Sequence, residues 1–530
     1  MFRSQDEGAS WDRISRDLTR NDPKTTGDSG GPITLDQTGA EYYATIFAFA
    51  ESLKARGVLW AGSDDGLIHV SRDDGRTWTD VTPSAMTPLT LVSIIEPSPH
   101  DPAVAYVAAT RYKLDDFRPY LYKTKNYGKT WTKITTGIPA EVFTRAIRED
   151  PAVPGLLYCG TEVGLYVSLD DGAQWQRWSG RRLPVVPIHD LVVKDGDLCL
   201  ATHGRSFWVF DDLTPVRELA AGTGGKRGAR LFTPRRTTRY RTYGGFSTKT
   251  IPGKNYRHPG ATFFTLVPEE DETGEKTEVY LDAGKNPPDG VIVTYWLAKP
   301  AKDLTLTVED VRGRTVRSYT TRPENEDPKD PKNKEPRVTN LAGMNRFVWN
   351  LRYPDAAKIA GEPTMEQLTA LQGPAAAPGR YAVRLTVDGV DQRAEFELTR
   401  DPRIPATDAD LAAQFALQRR LRDLLDRTHR GVDRLRAARS DPKITAATKR
   451  TLDAIEGELM QPKAKSRQDI LNFGVRLNNR VAAVIGAVGS ADAAPTKQAA
   501  ELAAVLEKEV DAQLAKLDRV LGRGKSRVGR

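Results

Sequence analysis

The sequence is poor in the residues on which most metal and redox chemistry depends. Of its 530 residues only two are cysteines, Cys159 and Cys199, and six are histidines. Two cysteines cannot build a disulfide framework, and no spacing of histidine, cysteine and aspartate is typical of a zinc site. We therefore expect no cofactor and no bound metal, and both cysteines should be small buried residues in strands.

Long apolar runs are also missing. No stretch approaches the roughly 20 residues that a membrane-spanning helix needs, and residues 1–7 lack a charged segment followed by an apolar one, so the chain as given shows no secretory signal. The net charge of +8 is small against 78 basic and 70 acidic residues. The basic segment 523–530 is predicted to be a solvated tail, and neither a membrane span nor a nucleic-acid partner is expected.

What the sequence does contain is a repeat. Four segments share the pattern Ser/Thr-x-Asp/Asn-x-Gly-x-x-Trp, with starts 67, 53 and 44 residues apart. Its three defining residues are Asp6, Gly8 and Trp11, then Asp73, Gly75 and Trp78, then Asn126, Gly128 and Trp131, and finally Asp170, Gly172 and Trp175. The acidic or amide side chain can accept backbone N–H groups, glycine permits the reversal, and tryptophan can wedge between sheets. The pattern therefore predicts a structural hairpin turn.

A second recurrence precedes these turns. Short β-rich runs ending in a small residue and a hydroxyl occur at 59–63, 106–110, 157–161 and 198–202. Each unit then consists of strands a, b and c, the turn, and strand d. The chain opens at a c–d turn and closes the region with strands a to c of another unit. About four β-propeller blades are predicted over residues 1–212.

These motifs resemble the Asp-box, or bacterial neuraminidase repeat, propellers, which include sialidases, xyloglucan-active glycoside hydrolases, sortilin-type receptors and a photosystem assembly factor. With residues 41–47 and 201–208 and the downstream domains, nearly the whole chain is similar to large bacterial proteins labelled glycosyl hydrolase or sortilin-like. The resemblance implies a full propeller, so the N-terminal blades are expected to be lacking. Two explanations stay open: a fragment of a longer product, or a ring completed by a second chain. The resemblance also implies a secreted or periplasmic full-length form.

Beyond the blades the sequence pattern changes twice. Residues 213–285 are predicted to be a connecting region with a few strands. Residues 286–402 carry alternating and β-branched segments, such as 291–296, that favour an immunoglobulin- or fibronectin-like β-sandwich. Residues 403–522 carry apolar side chains at helical spacing, which predict an antiparallel helical bundle whose stripes form its core.

One match to a catalytic motif is rejected. Gly27–Pro32 reproduces the nucleophile motif of chymotrypsin-like proteases, but that family places its histidine and aspartate upstream, and the first histidine here is His69. A glycosidase needs two facing carboxyl groups, and the sequence does not show which acidic residues would face each other. The catalytic residues of any such enzyme are therefore unassigned.

The geometry of a propeller narrows the search for a ligand site. Its b–c and d–a connections share one face, and the c–d turns lie on the other. The candidate ligand residues of the b–c connections are Asp64, Asp65, Arg111, Asp115, Asp116, Glu162, His203 and Arg205, joined by the loop 27–39. His203 is compatible with a ligand, a base or a structural residue, and the whole set with an ordinary solvated rim. We interpret the chain as a non-catalytic binding or scaffolding module for protein, peptide or carbohydrate, with a glycoside hydrolase completed by further blades as the alternative.

Overall fold

The fold is mainly β, with a C-terminal helical region, as the sequence predicts. The computed structural model describes residues 1–27, 29–30, 35–36, 42–178, 183–222, 228–241, 251–257, 264–270, 276–282, 284, 287–321, 336–359, 371–464 and 469–526. The chain forms two compact units, residues 1–224 and 225–530. None of the described helices is long and apolar enough to cross a bilayer.

The first unit is a succession of antiparallel sheets. Its strands are Phe2–Arg3 (β1), Asp12–Arg13 (β2), Ser29–Gly30 (β3), Leu35–Asp36 (β4), Ile46–Glu51 (β5), Leu59–Ser63 (β6), Ile68–Ser71 (β7), Thr79–Asp80 (β8), Leu91–Pro97 (β9), Ala105–Arg111 (β10), Asp116–Thr124 (β11), Thr132–Lys133 (β12), Thr144–Glu149 (β13), Leu157–Thr161 (β14), Gly164–Ser168 (β15), Gln176–Arg177 (β16), Ile188–Lys194 (β17), Asp197–Thr202 (β18) and Phe207–Phe210 (β19). A 3₁₀ turn at Tyr112–Leu114 and the helix Thr214–Ala220 (α1) complete this unit.

The sheets follow the predicted order of strands a to d. Four-stranded sheets are β5-β6-β7-β8, β9-β10-β11-β12 and β13-β14-β15-β16; β1-β2 precedes them and β17-β18-β19 follows. The first strands of successive sheets lie against one another. The expectation of about four blades, opening on strands c and d and ending on strands a to c, is confirmed. Both cysteines lie in strands; Cys159 is buried and Cys199 half-buried.

The repeated turns are held by their own side chains. In the second one, Asp73 accepts the backbone N–H of Thr77 at 2.9 Å, and the backbone N–H of Gly75 donates to the Ser71 hydroxyl at 2.8 Å. The equivalent bonds recur around Asp6, Asn126 and Asp170. Gly75 has φ +85°, and an added Cβ would lie 3.1 Å from Ile14. Glycine is therefore required there by both backbone angle and space.

The tryptophan of each turn is bonded to the preceding sheet. The indole Nε1 of Trp78, Trp131 and Trp175 donates to the carbonyl of Ile14, Val81 and Ile134, at 2.8, 2.6 and 2.7 Å. Each acceptor directly follows a short outer strand, β2, β8 or β12. These three indoles therefore each reach the sheet that precedes their own turn. Trp11, in the first turn, is 63% exposed.

Small residues let the inner strands approach closely. A Cβ added at Gly62 would lie 2.4 Å from the Val92 side chain, and one at Gly160 would lie 2.7 Å from the Ile188 carbonyl. Both glycines are the last residue but one of a strand b, and both contacted residues belong to strand a of the next sheet. The small residue before the hydroxyl in the repeated run is therefore a packing requirement.

The second unit contains a two-sheet sandwich and a separate small sheet. Its strands are Ala229–Leu231 (β20), Thr237–Arg239 (β21), Asn255–Arg257 (β22), Phe264–Glu270 (β23), Lys276–Tyr280 (β24), Val291–Leu297 (β25), Leu304–Asp310 (β26), Thr315–Thr320 (β27), Gly343–Trp349 (β28), Gly379–Val387 (β29) and Val390–Arg400 (β30). Sheets β20-β25-β28 and β21-β30-β29-β26-β27 enclose an aromatic core around Trp349, Tyr381 and Phe396, whereas β22-β23-β24 stands apart.

The sandwich draws strands from outside its predicted limits. β20 and β21 belong to its two sheets, so residues from 229 onward contribute to a domain predicted to begin at 286. Each of these strands has three residues, too few for an alternating pattern to appear. Most of the loop 27–39 lies outside the residues that the structure describes.

The C-terminal region is helical, as expected. Its helices are Asp408–Arg439 (α2), Ala446–Leu459 (α3), Ile470–Phe473 (α4), Leu477–Val488 (α5) and Lys497–Ser526 (α6). Thr407 caps α2, accepting the Asp410 N–H while Asp410 accepts its own. The apolar stripes of the long helices form one buried cluster, including Leu421, Val481 and Leu506. Helix α6 ends at Ser526, so it includes the first residues of the predicted tail.

The ion pairs between these helices show their relative directions. The pairs between α2 and α6 are Arg420–Glu507, Arg427–Asp511 and Arg434–Asp518. Because both numbers rise together, these two long helices run parallel. Arg439 pairs with Asp453 and Arg436 with Glu456, so α3 runs antiparallel to α2.

A buried ion pair joins the sandwich to the helices. Arg239 of β21 donates to Asp492 at 2.8 Å, and their side chains are only 9% and 7% exposed. Arg239 also donates to the Ala376 carbonyl, while Gln414 donates to the Val488 carbonyl at the end of α5. These bonds link the sandwich to the bundle, so we expect a substitution of Asp492 to lower the stability of both.

We predict that Trp175→Ala destabilises the first unit by about 3–5 kcal/mol, because it removes a 1% exposed indole and its bond to the preceding sheet. Trp11→Ala is the matched control: that side chain is largely exposed and should cost below about 1 kcal/mol. Denaturant unfolding of the full chain, followed by fluorescence and circular dichroism, measures both. Equal losses would contradict the wedge.

We predict that Asp492→Asn costs about 3–5 kcal/mol of unfolding free energy, because Arg239 keeps a buried charge without its partner. Asp518→Asn breaks an exposed pair of the same bundle and should cost about 0–1 kcal/mol. Urea titrations of the full chain give both values. If Asp492→Asn loses no more unfolding free energy than Asp518→Asn, the buried ion pair contributes little to stability.

Candidate ligand-binding rim

Each inner strand of the first unit carries a β-bulge near the end that meets the b–c connection. The pairing of strands a and b skips one residue in every sheet: Phe47, Ser93, Arg145 and His189. A bulge bends its strand and re-aims the unpaired side chain, and bulges are common beside binding sites. Three of these bulges, at Phe47, Arg145 and His189, fall between the last two residues of strand b and so hold corresponding positions. The bulge at Ser93 lies one residue pair further from the b–c connection, and the Ser93 hydroxyl is buried.

The b–c connections are tied to the same strand ends. The backbone N–H groups of Asp64, Glu162 and His203 donate to the carbonyls of Thr45, Phe143 and Pro187, at 3.0, 3.2 and 2.9 Å. Each acceptor directly precedes a strand a, so these three residues hold equivalent places in three sheets. The rim site is the set of side chains near these strand ends that are not committed to the fold: Phe47, Tyr112, Phe117, Phe143, Arg145, Glu162, His189 and His203.

Charged and imidazole groups meet at one end of the rim site. Arg145 donates through Nε to Glu162 at 2.6 Å. The Nδ1 of His203 lies 3.2 Å from the Nε2 of His189. Burial, together with the positive charge of Arg145 and the neighbouring His203, lowers the pKa of His189. That imidazole is therefore neutral near pH 7.

An aromatic stack adjoins these groups. The rings of Tyr112 and Phe143 are 5.2 Å apart and nearly parallel, and Phe117 lies 5.9 Å from Phe143 with 47% of its side chain exposed. The Arg145 guanidinium lies 5.3 Å from the Tyr112 ring centre and 5.0 Å from that of Phe143. The result is a partly exposed apolar platform beside a fixed cation.

Several sequence-predicted ligand residues hold the fold instead. Asp64 and Asp65 are buried, where Asp64 accepts the Thr45 N–H and Asp65 accepts that of Arg20. Arg111 donates to the Pro88 carbonyl and to Thr90. These three side chains are already committed to neighbouring loops, which removes them from the set that can contact a ligand.

The remaining predicted residues divide between structure and site. Arg118 holds Asp116 through two hydrogen bonds, which keep the pKa of that carboxyl far below its usual range, and Asp115 is an exposed left-handed residue ending the 3₁₀ turn. Glu162 and His203 lie in the rim site. Arg205 is exposed beside His203, with its carbonyl accepting the Trp208 indole N–H.

Sequence reasoning missed the bulge residues and the aromatic stack. Arg145 and His189 occupy strand positions in a chain where strand residues look structural, and one skipped pairing cannot be recognised in a single strand. Aligning the three segments that start at Thr45, Phe143 and Pro187 would have placed Phe47, Arg145 and His189 in one column.

A second polar group lies on the inner strands. Arg148 donates to Glu96 at 3.2 Å and to Asp190 at 2.8 Å, so one guanidinium joins β9, β13 and β17. Burial raises the pKa of Glu96 to about 7 even though Arg148 opposes the shift. The site thus holds a carboxyl that is partly protonated at neutral pH next to a carboxylate that is half exposed.

Among the residues that the structure describes, no three histidine, cysteine or acidic side chains converge to hold a metal ion.

The raised pKa of Glu96 predicts a pH-dependent stability. Because the pKa is higher in the folded than in the unfolded chain, the contribution of Glu96 is fully present below pH 4.5 and is lost as the pH rises through about 7. Glu96→Gln stays neutral, so the unfolding free energy of the wild type relative to this variant should fall between pH 5 and pH 8. Urea titrations at both pH values measure it; a constant difference would contradict the assignment.

No protein-family model and no curated protein matches the chain. Solved structures resemble it at low identity. The GH74 xyloglucanase from Xanthomonas campestris is 13% identical, with 76% of this chain and 77% of that one covered and a TM-score of 0.30. YCF48 bound to D1 peptide is 15% identical, with 49% and 78% covered and a TM-score of 0.24. YCF48 from Cyanidioschyzon merolae is 13% identical, with 57% and 94% covered and a TM-score of 0.25. These neighbours are β-propeller proteins.

Proposed function

We propose that the chain is an Asp-box propeller protein whose rim site binds a ligand without chemical conversion, the ligand being a peptide or a carbohydrate. The observation that carries the proposal is the set of three bulges at corresponding positions, which sets Phe47, Arg145 and His189 apart from regular strand pairing at the same end of their sheets. A bulge re-aims the unpaired side chain, and bulges are common beside binding sites.

The platform is suited to a flat, partly apolar ligand. Tyr112 stacks on the buried Phe143 at an interplanar angle of 16°, and Phe117 leaves nearly half of its surface to solvent. Sugar rings and peptide side chains both stack on such faces, while a few convergent polar groups fix their orientation. Arg145, Glu162 and the two imidazoles supply those polar groups.

The platform is also arranged before any ligand arrives. Arg145 is only 17% exposed and is held by Glu162 on one side and by two aromatic rings on the other. A side chain already fixed loses little further conformational entropy on binding, so more of the contact energy appears as affinity.

A glycoside hydrolase is the second candidate. The pair of Glu96 and Asp190 favours it, since a glycosidase uses two carboxyl groups, one of which is kept protonated near neutral pH. Both contact the same guanidinium, that of Arg148. In such an enzyme Glu96 would be the general acid and Asp190 the second carboxylate.

The test is a binding measurement on the full chain with two probe panels, neutral oligosaccharides and a phage-displayed library of unstructured peptides. We expect one panel to bind, and Phe117→Ala to weaken that binding at least tenfold, because the exposed ring is the contact surface. Tyr256→Ala removes a 70% exposed aromatic side chain from the second unit and is the matched control.

Three outcomes decide between the alternatives. Equal affinity in the wild type and Phe117→Ala, or an equal loss in Tyr256→Ala, would exclude the platform. Failure of both panels to bind would contradict the proposed ligand classes. Cleaved oligosaccharide that disappears in Glu96→Gln would identify the hydrolase instead.

A further inference from the structure

Two histidines face each other at the end of the rim site. His189 is the bulge residue of β17, and His203 begins the connection after β18, the strand paired with it. The Nδ1 of His203 lies 3.2 Å from the Nε2 of His189, and the ring planes make an angle of 67°. Both side chains are exposed. The two ring nitrogens that face each other are close enough to bind the same third atom.

We propose that His189 and His203 bind a borderline divalent cation such as Zn²⁺ through these two nitrogens. Two imidazole nitrogens on one tetrahedral zinc ion, each at 2.0–2.1 Å, stand about 3.3 Å apart. The separation of 3.2 Å observed here meets that requirement without movement of either strand. A small rotation of the rings replaces the bond between the imidazoles by two bonds to the cation.

The backbone holds both imidazoles in place. The His203 N–H donates to the Pro187 carbonyl at 2.9 Å, directly before the strand that carries His189. The connection after His203 is a tight one, with φ of +85° at Gly204 and +63° at Ser206. Because the two ligands are attached to paired strands, the cation orders little additional chain.

The site would be an open one. The described residues offer no third histidine, cysteine or acidic side chain converging on the pair, so the cation would keep water in its other positions. A zinc ion with exchangeable positions can accept a carboxylate or hydroxyl oxygen from a bound molecule. This inference rests on the imidazole pair alone and stands whether or not the platform binds the proposed ligands.

The experiment is a calorimetric titration of the full chain with Zn²⁺ alone at pH 7.5. We expect one equivalent to bind and either His189→Ala or His203→Ala to weaken it at least tenfold, because each removes half of the protein ligands. His100→Gln is the control: His100 bonds the Asp150 carbonyl outside the rim, and glutamine can keep that bond.

Electron paramagnetic resonance with Cu²⁺ as the probe supplies the second readout. Two coordinating nitrogens are expected in the wild type and one in each alanine variant, while thermal melting without metal checks that every variant is folded. If an alanine variant melts early, the glutamine variants His189→Gln and His203→Gln replace it. The proposal is overturned by wild-type chain without a site, by binding that survives the double replacement, or by an equal loss in His100→Gln.

Discussion

The bond from a tryptophan indole to a carbonyl of the preceding sheet is the contact on which the first unit depends. It recurs at Trp78, Trp131 and Trp175 with nearly the same length. Each indole packs its apolar ring and also donates its N–H to the preceding sheet. A Phe or Leu at the same position could pack but could not form this hydrogen bond. The repeated turn therefore fixes the spacing of the sheets, and through it the row of inner strands.

The rim site is a consequence of that row. Along these strands the bulges at Phe47, Arg145 and His189 hold corresponding positions, and the first residue of three b–c connections is hydrogen-bonded beside them. Variation at these positions leaves the tryptophan contacts untouched. The same scaffold can hence carry a phenylalanine at one bulge, a serine at the next, and an arginine and a histidine at the others.

Much of this fold could be predicted because its signals are local. The Asp, Gly and Trp that identify each turn lie within eight residues of one another in the sequence, and the apolar stripes of α2 and α6 repeat at helical spacing. The rim was predicted only in part. Asp64 and Arg111 are charged residues in connections, but their side chains are hydrogen-bonded to backbone groups of other loops, which the local sequence does not show. Arg145 and His189 were missed because a bulge depends on the partner strand. The strands β20 and β21 were missed because three residues carry no periodicity.

The parallel arrangement of α2 and α6 has a consequence for synthesis. The acidic partners of Arg420, Arg427 and Arg434 lie 84 to 87 residues further along the chain. During translation, α2 therefore emerges with its basic stripe and part of its apolar face uncovered, and it stays so until the C-terminal helix leaves the ribosome. In the first unit, by contrast, the indoles of Trp78, Trp131 and Trp175 bond to residues that lie earlier in the chain and are already synthesised. The two halves of the chain thus place different demands on the cell's chaperones.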